Sequence, residues 1–520
     1  MKKFKLFLAA FVATLFAFAG VKASADGYNL TINGTHVGHT YEAYQIFAGD
    51  ISSDGKTLSN VRWGSDVTPF DYKGITEADK IAEEISKPGE VDENNETKAA
   101  KDFSKLAGAH LTTTTHKATS TETTTVISGL APGYYLVKDV DGSQTADPDP
   151  SKESEKATAY TRFIMQVVGD SNAQLKNDVP SVQKKVKETN DSTGVTTSWQ
   201  DAADYDINDT VPFQLQATLP KHITDYDHYY VEFTDTLSAG LTFNEITLVQ
   251  ADGKTLSEGE YQVTKTPNTD GTTTLSVIIT DVKKVNENIK KDDLVTVEYN
   301  ATLNDKAVLG SAGNPNSVEL TYSNNPNATG DGTSKPADTG KTPKDTVKVF
   351  TYQTIINKVK EIKKDGTIET APLPGAEFTL YKKLNNGSTK KVDVVKNAEG
   401  TSFTFKGLDA GDYVLKETKT PDGYNTIEEC RNGGKGIEFS IVSDYSKKDG
   451  LQLLKVTGTD REFTSDLSAG SLKADIVNRQ GSLLPSTGGM GTTILYVVGS
   501  ILVLVAAILL ITKKRMDAAK

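Results

Sequence analysis

The sequence is poor in the residues that staple secreted folds or carry out catalysis. A single cysteine, Cys430, in 520 residues allows no intramolecular disulfide. Six histidines and that one cysteine leave no Cys/His set for zinc. Basic residues are the minority, 57 against 69 acidic, for a net charge of −12. A chain this acidic lacks the positive face that phosphates demand, which excludes nucleic acid as a partner. GxSxG, HExxH and a Cys–His pair are all missing, so no surface hydrolase is read here. Acidic loops such as Asp147-Pro148-Asp149 read as solvated. No metal and no cofactor is expected.

What is present begins with the two ends. Lys2, Lys3 and Lys5 precede Leu6–Ala19, an apolar run of 14 that is too short for a comfortable permanent span. Ala23-Ser24-Ala25 then meets the small-x-small rule, so residues 1–25 read as a secretory signal and the mature chain as starting at Asp26. At the other end, Ile494–Ile511 is 18 residues without a charge, followed by Lys513, Lys514 and Arg515. Leu484-Pro485-Ser486-Thr487-Gly488 stands just before it. Pentapeptide, apolar span and basic tail in this order resemble the cell-wall sorting signal of Gram-positive surface proteins. The resemblance implies a sortase that cuts between Thr487 and Gly488 and passes the Thr487 carbonyl to an amine. The ends carry eight of the 57 basic residues and one of the 69 acidic ones, so segment 26–487 has a net charge of −19.

Between the ends, short runs rich in Thr, Val, Tyr and Ile alternate in polarity: Tyr229–Thr234, Thr273–Ile279, Leu294–Asn300, Val318–Tyr322, Ser402–Lys406 and Asp412–Glu417. Gly, Asn and Asp clusters separate them. The pattern predicts an all-β chain of tandem Ig-like sandwiches. Helices are predicted at 76–86, with Thr76 as cap, and near 98–107. Val179-Pro180 marks one boundary, and the Asn/Pro/Gly-rich stretch 324–346, composed like a linker or long loop, marks another. The expected domains are 26–178, 179–346 and 347–480, with 481–520 as the sorting region. The segment from Gly129 to Asp139 aligns without gaps to the segment from Gly407 to Glu417, so the first and third domains are expected to share a sandwich type.

A long secreted β array without disulfides needs another source of rigidity. A side-chain amide between Lys and Asn can supply it. The lysine must be desolvated to become a neutral nucleophile. A buried acid must polarise the Asn carbonyl and shuttle protons. Ammonia then leaves. The run from Gly411 to Tyr424, GDYVLKETKTPDGY, resembles the E-box of Gram-positive pilins and of collagen-adhesin B-type domains, whose acid falls on Glu417. Period-2 alternation puts Glu417 on the face of Tyr413 and Leu415, Lys358 on that of Ile356, and Asn478 on that of Ile476. The expected bond is Lys358–Asn478 with Glu417 as the acid. In Ig-like sandwiches the first and last strands often lie side by side, so this bond would carry load across the domain.

The middle domain offers Lys184, Asn316 and Asp235 on apolar faces, with Lys185 and Glu298 as alternatives. Its Asp235-Thr236-Leu237 and Gly240-Leu241 resemble the DTL…GL segment of collagen-adhesin A-type domains. No lysine occurs between Lys22 and Lys56, so the first domain, with Asp139 at its E-box acid position, is expected to lack such a bond. Cys430, in a polar loop, is expected to be exposed and is given no role.

The whole chain resembles a major (backbone) pilin of sortase-assembled Gram-positive pili. That family carries an acceptor lysine in a motif near YPKN at the end of its first domain. Here the corresponding stretch is Leu175-Lys176-Asn177, which lacks the proline and places the acceptor at Lys176. The resemblance implies a structural, non-enzymatic subunit in which Thr487 of one copy joins Lys176 of the next. The implied partners are identical subunits, pilus-specific and housekeeping sortases, minor pilins, peptidoglycan and host matrix. The implied location is a pilus anchored to the cell wall. A monomeric wall-anchored adhesin and a minor pilin remain the alternatives.

Overall fold

The computed structural model describes residues 27–91, 96–140, 142–143, 159–446, 450–481 and 490–518. The secretory signal, Asp147-Pro148-Asp149 and the LPSTG pentapeptide lie outside the described residues.

The strands form three successive pairs of sheets. In the first unit, Tyr28–Asn33 pairs antiparallel with Thr124–Leu130 and parallel with Ser171–Gln174. The facing sheet is built on Thr40–Ile51, Gly133–Asp139 and Arg162–Val167. Thr40–Ile51 is buried along most of its length because both of its faces are covered. One face packs on the partner sheet through Tyr41 and Ala43. The other receives two helices, α1 (Ala78–Ile85) and α2 (Lys98–Gly108), through Phe47, Ile81 and Phe103. Thr97 caps α2 by accepting from the Ala100 amide at 3.2 Å. The expected cap of α1 is corrected: Glu77 occupies the N-cap position, without a side-chain cap bond, and Thr76 lies one residue outside.

The middle unit contributes four strands to the argument: β1 (Ser181–Val186), β2 (Val231–Leu237), β3 (Leu294–Leu303) and β4 (Asn314–Ser323). β1 and β3 belong to one sheet; β2 and β4 pair antiparallel in the other. Alternation holds along β2, where Val231, Phe233, Asp235 and Leu237 all point inward. Two expectations need correction here. The stretch 324–346 is no linker. Thr339–Lys341 pairs with β4, and Asn324 and Asn325 are buried because the loop packs back on the first unit. There the Tyr160 amide donates to Asn324 O at 2.7 Å, and Arg162 donates to Pro326 O at 3.1 Å. The middle sheet also runs past residue 346, since Asp345–Phe350 pairs with β4.

The third unit contains β5 (Tyr352–Lys364), β6 (Gly411–Lys419) and β7 (Ser471–Val477). β5 pairs antiparallel with Ser402–Leu408 and parallel with β7. This is the arrangement of the first unit: an opening strand held between an antiparallel neighbour and a parallel closing strand. The repeat seen in the sequence is therefore a shared topology. In both copies a glycine in the left-handed region, Gly129 (φ 80°) and Gly407 (φ 73°), stands next to last in the antiparallel neighbour, just before the central strand of the facing sheet. Beyond the third unit, helix α3 (Met490–Asp517) is long and apolar enough to cross a membrane, with a mean hydropathy of 3.0 over its most apolar 18 residues.

Candidate crosslink and acceptor sites

In the third unit the three expected residues come together in the core. Lys358, Glu417 and Asn478 are 0 %, 7 % and 1 % exposed. Parallel pairing of β5 with β7 sets Lys358 opposite Ile476, and the Lys358 Nζ donates to Ile476 O at 2.6 Å. Asn478 follows two residues later. Its Nδ2 donates to Glu417 Oε1 at 2.8 Å, while Oδ1 is buried without a hydrogen-bond partner among the described residues. Glu417 Oε2 accepts from the Ile427 amide at 3.0 Å and from Thr420 at 3.3 Å. Burial pushes the Lys358 amine down to about 8, with the Glu417 charge pulling the other way. The acid was expected to face the Asn carbonyl. It faces the amide nitrogen instead, the group that must leave as ammonia.

The middle unit reaches the same chemistry by a different route. Lys184, Asp235 and Asn316 are each 0 % exposed. Lys184 Nζ lies 2.5 Å from Asp235 Oδ2 and 3.0 Å from the Tyr299 hydroxyl. That hydroxyl donates to Asp235 Oδ2 at 2.6 Å and accepts from Asn316 Nδ2 at 2.7 Å. Tyr299 thus connects all three residues. It was missed in the sequence because an inward tyrosine on a strand looks like any core aromatic. Its ring stacks on Phe213, and both rings lie 5.1 Å from the lysine nitrogen. Burial pushes the Lys184 amine down to about 8, with Asp235 opposing. The alternatives fall on the outer faces: Lys185 pairs with Asp201 at 2.7 Å, and Glu298 accepts from Gln214 at 2.8 Å. The strands joined here, β1 and β4, lie in opposite sheets, so this bond would tie sheet to sheet.

A third lysine, Lys382, is also fully buried but differs in kind. It lies 2.5 Å from Asp409, 3.1 Å from Asp206 and 3.3 Å from Asp191. Burial works against its charge, yet these carboxylates outweigh it and hold the ammonium above its ordinary value. Three carboxylates hold this lysine charged, as a clamp. Because Asp191 and Asp206 come from the middle unit, the clamp joins it to the third.

In the first unit, Asp139 is buried at the position matching Glu417 and accepts from the Thr161 amide at 2.8 Å. The neighbouring opening strand turns Tyr28, Leu30 and Ile32 inward and carries no lysine. Cys430 corrects another expectation. It is half-buried against the third core, and its Sγ accepts from the Glu417 amide at 3.2 Å. Lys176 lies at the seam between the first and middle units, paired with Glu96 and with Asp225, and its side chain is 13 % exposed.

Residues 207–326 match the family model of the Gram-positive pilin backbone subunit 2, Cna-B-like domain, and residues 357–432 match that of the SpaA prealbumin-like fold domain. Two regions of the chain thus match domains of Gram-positive pilins. The trypsin-resistant surface T6 protein of Streptococcus pyogenes serotype M6 is 27 % identical to this chain over 398 residues, covering 65 % of this chain and 70 % of that protein. The solved T6 backbone pilin of that serotype, described as a modular three-domain structure, superposes with a TM-score of 0.51 at 18 % identity, over 88 % of this chain and 99 % of the other. The full-length major pilin SpaD of Corynebacterium diphtheriae gives a TM-score of 0.44 at 19 % identity, over 89 % and 100 % of the two chains.

Proposed function

We propose that the chain is the repeating structural subunit of a covalent surface pilus, stiffened by two self-formed Lys–Asn amides. One observation carries the reading: each of the two domains matched to pilin models buries a lysine depressed to about 8 together with an acid and an asparagine. In each, the neutral amine attacks the Asn side-chain carbonyl and forms the new C–N bond. The carboxyl group, acting through the Tyr299 hydroxyl in the middle domain, protonates the amide nitrogen, whose bond to that carbon breaks to release ammonia. The carboxylate takes back the proton that the attacking amine sheds. The chain turns over once on itself and catalyses nothing further.

Polymerisation joins Thr487 of one subunit to Lys176 of another. Tension then enters at Lys176, runs through the middle and third domains, and leaves at Thr487. Residues before Lys176 hang outside this path. A first domain without a crosslink fits that placement, because it bears no axial load. In the third domain the Lys358–Asn478 bond joins the opening strand directly to the closing one. In the middle domain the Lys184–Asn316 bond carries load from sheet to sheet, and from there the pairing of β4 with Asp345–Phe350 leads onward. The sorting signal assigns the cutting and joining to sortases, and the shaft to the cell wall.

The test is a boiled-SDS immunoblot of wall extracts from cells expressing the wild type or Lys176→Ala. A high-mass ladder in the wild type that the variant loses is the expected result. A single wild-type band from cells with active sortases would overturn the reading in favour of a monomeric adhesin.

A further inference from the structure

Lys176 does not dangle from a linker. Its Nζ contacts Glu96 Oε1 and lies 3.6 Å from Asp225 Oδ2. Across from it, Lys101 Nζ lies 2.8 Å from Asp225 Oδ1 and 3.6 Å from Glu96 Oε2. Two lysines and two carboxylates alternate around a closed ring, each side chain less than a fifth exposed. Both domains build it. Glu96 stands immediately before the capping Thr97 of α2, Lys101 lies in α2, and Asp225 ends the short turn Ile223–Asp225 of the middle domain. The charged groups around the ring include Arg162, which donates to Pro326 O and Asn327 Oδ1 at 3.1 Å each, with His222, Asp178, Lys283 and Asp227.

We propose that Glu96 is the proton acceptor for Lys176 when this amine attacks the sortase-bound acyl group; the proposal rests on the reading of Lys176 as the acceptor lysine. An ion-paired ammonium has no lone pair, so the reaction cannot start until a proton leaves it. Glu96 is the carboxylate in direct contact with that nitrogen. Asp225 Oδ2 stands farther off, at 3.6 Å. Burial raises its carboxyl, but Lys176 and Lys101 outweigh this and hold it below the usual range. The step balances. Glu96 takes one ammonium proton. The freed lone pair attacks the Thr487 carbonyl of the thioester, the C–N bond forms, and the C–S bond breaks. A second nitrogen-bound proton passes to the departing cysteine thiolate. The products are an amide, a free thiol and a protonated Glu96, which returns its proton to solvent. Lys101 and Asp225 stay behind as a neutral pair, so the ring is never left with an unbalanced buried charge.

The test uses the full chain in detergent as acceptor, a labelled LPSTG peptide as donor and the pilus sortase. Tandem mass spectrometry locates the label, and rates are followed against pH. Glu96→Gln should slow labelling of Lys176 by about a hundredfold near neutral pH, the lower end of what general-base help supplies. Its rate should then climb with alkalinity where the wild type is flat, because hydroxide replaces the lost base. Glu96→Asp should recover much of the rate. Equal rates for Glu96→Gln and wild type would overturn the proposal. So would a slowed rate with an unchanged pH profile, which marks a merely structural role. A thermal transition of the variant unchanged from the wild type shows that the fold is intact. Label on another lysine of the wild type would refute the acceptor reading itself, a separate failure.

Discussion

Glu417→Gln isolates the chemistry of the third-domain bond with little change of shape. The glutamine can still accept from the Ile427 amide, but it has no proton to give to the Asn478 nitrogen. The amide should not form, and the variant should keep one ammonia more than the wild type. The bond closes a loop of about 120 residues, between Lys358 and Asn478. The chain-entropy relation for a crosslink of that length gives roughly 5 kcal/mol. For a domain of this size, roughly 3–5 °C of Tm accompanies each kcal/mol, so the third-domain transition should fall by about 15–25 °C. Intact mass of segment 26–487 and differential scanning calorimetry read the two effects on the same sample. A Glu417→Gln chain that loses both ammonia molecules would refute the assigned role of Glu417. A chain that keeps one ammonia yet melts with the wild type would refute the entropic argument.

Tyr299→Phe removes the hydroxyl joining Lys184, Asp235 and Asn316 but leaves all three in the core; time-resolved intact mass after refolding should show slower middle-domain bond formation with the bond still completed. In Asn478→Ala, which cannot crosslink, Lys358 keeps an amine depressed to about 8 when folded. Between pH 8 and 10 the unfolded chain then binds more protons than the native one, so third-domain stability should rise with pH by on the order of 3 kcal/mol, and stay at its lower level below pH 8. Urea titrations across that window measure it, and a fall with rising pH would contradict the burial of this lysine. Lys382→Met strands Asp409 and Asp206 in a buried joint, which should cost about 3–5 kcal/mol and open the middle–third junction to proteases without changing the number of ammonia molecules lost.

The sequence displayed this site well where strand periodicity governs it. Lys358, Glu417 and Asn478 each sit on the apolar face of a short strand pattern, and alternation alone turns them inward. Asp235 and Asn316 were legible for the same reason. Tyr299 was not, because its role depends on the meeting of two sheets, which no local pattern encodes. The Glu96–Lys101–Asp225 ring around Lys176 was hidden likewise, since its members lie on three elements of two domains. The 324–346 stretch misled through composition: its asparagines serve the first–middle interface by hydrogen bonding, which looks in sequence like a solvated linker. Cys430 misled in the same way, as a polar-looking loop folds onto the third core beside Glu417.

The central claim is the covalent joint between subunits. Pili purified from wall extracts, digested and analysed by tandem mass spectrometry, would show it directly. The account predicts a branched peptide in which the carbonyl of Thr487 is joined to the Nζ of Lys176. Thr487 found only on cell-wall peptide, with Lys176 always unmodified, would contradict it.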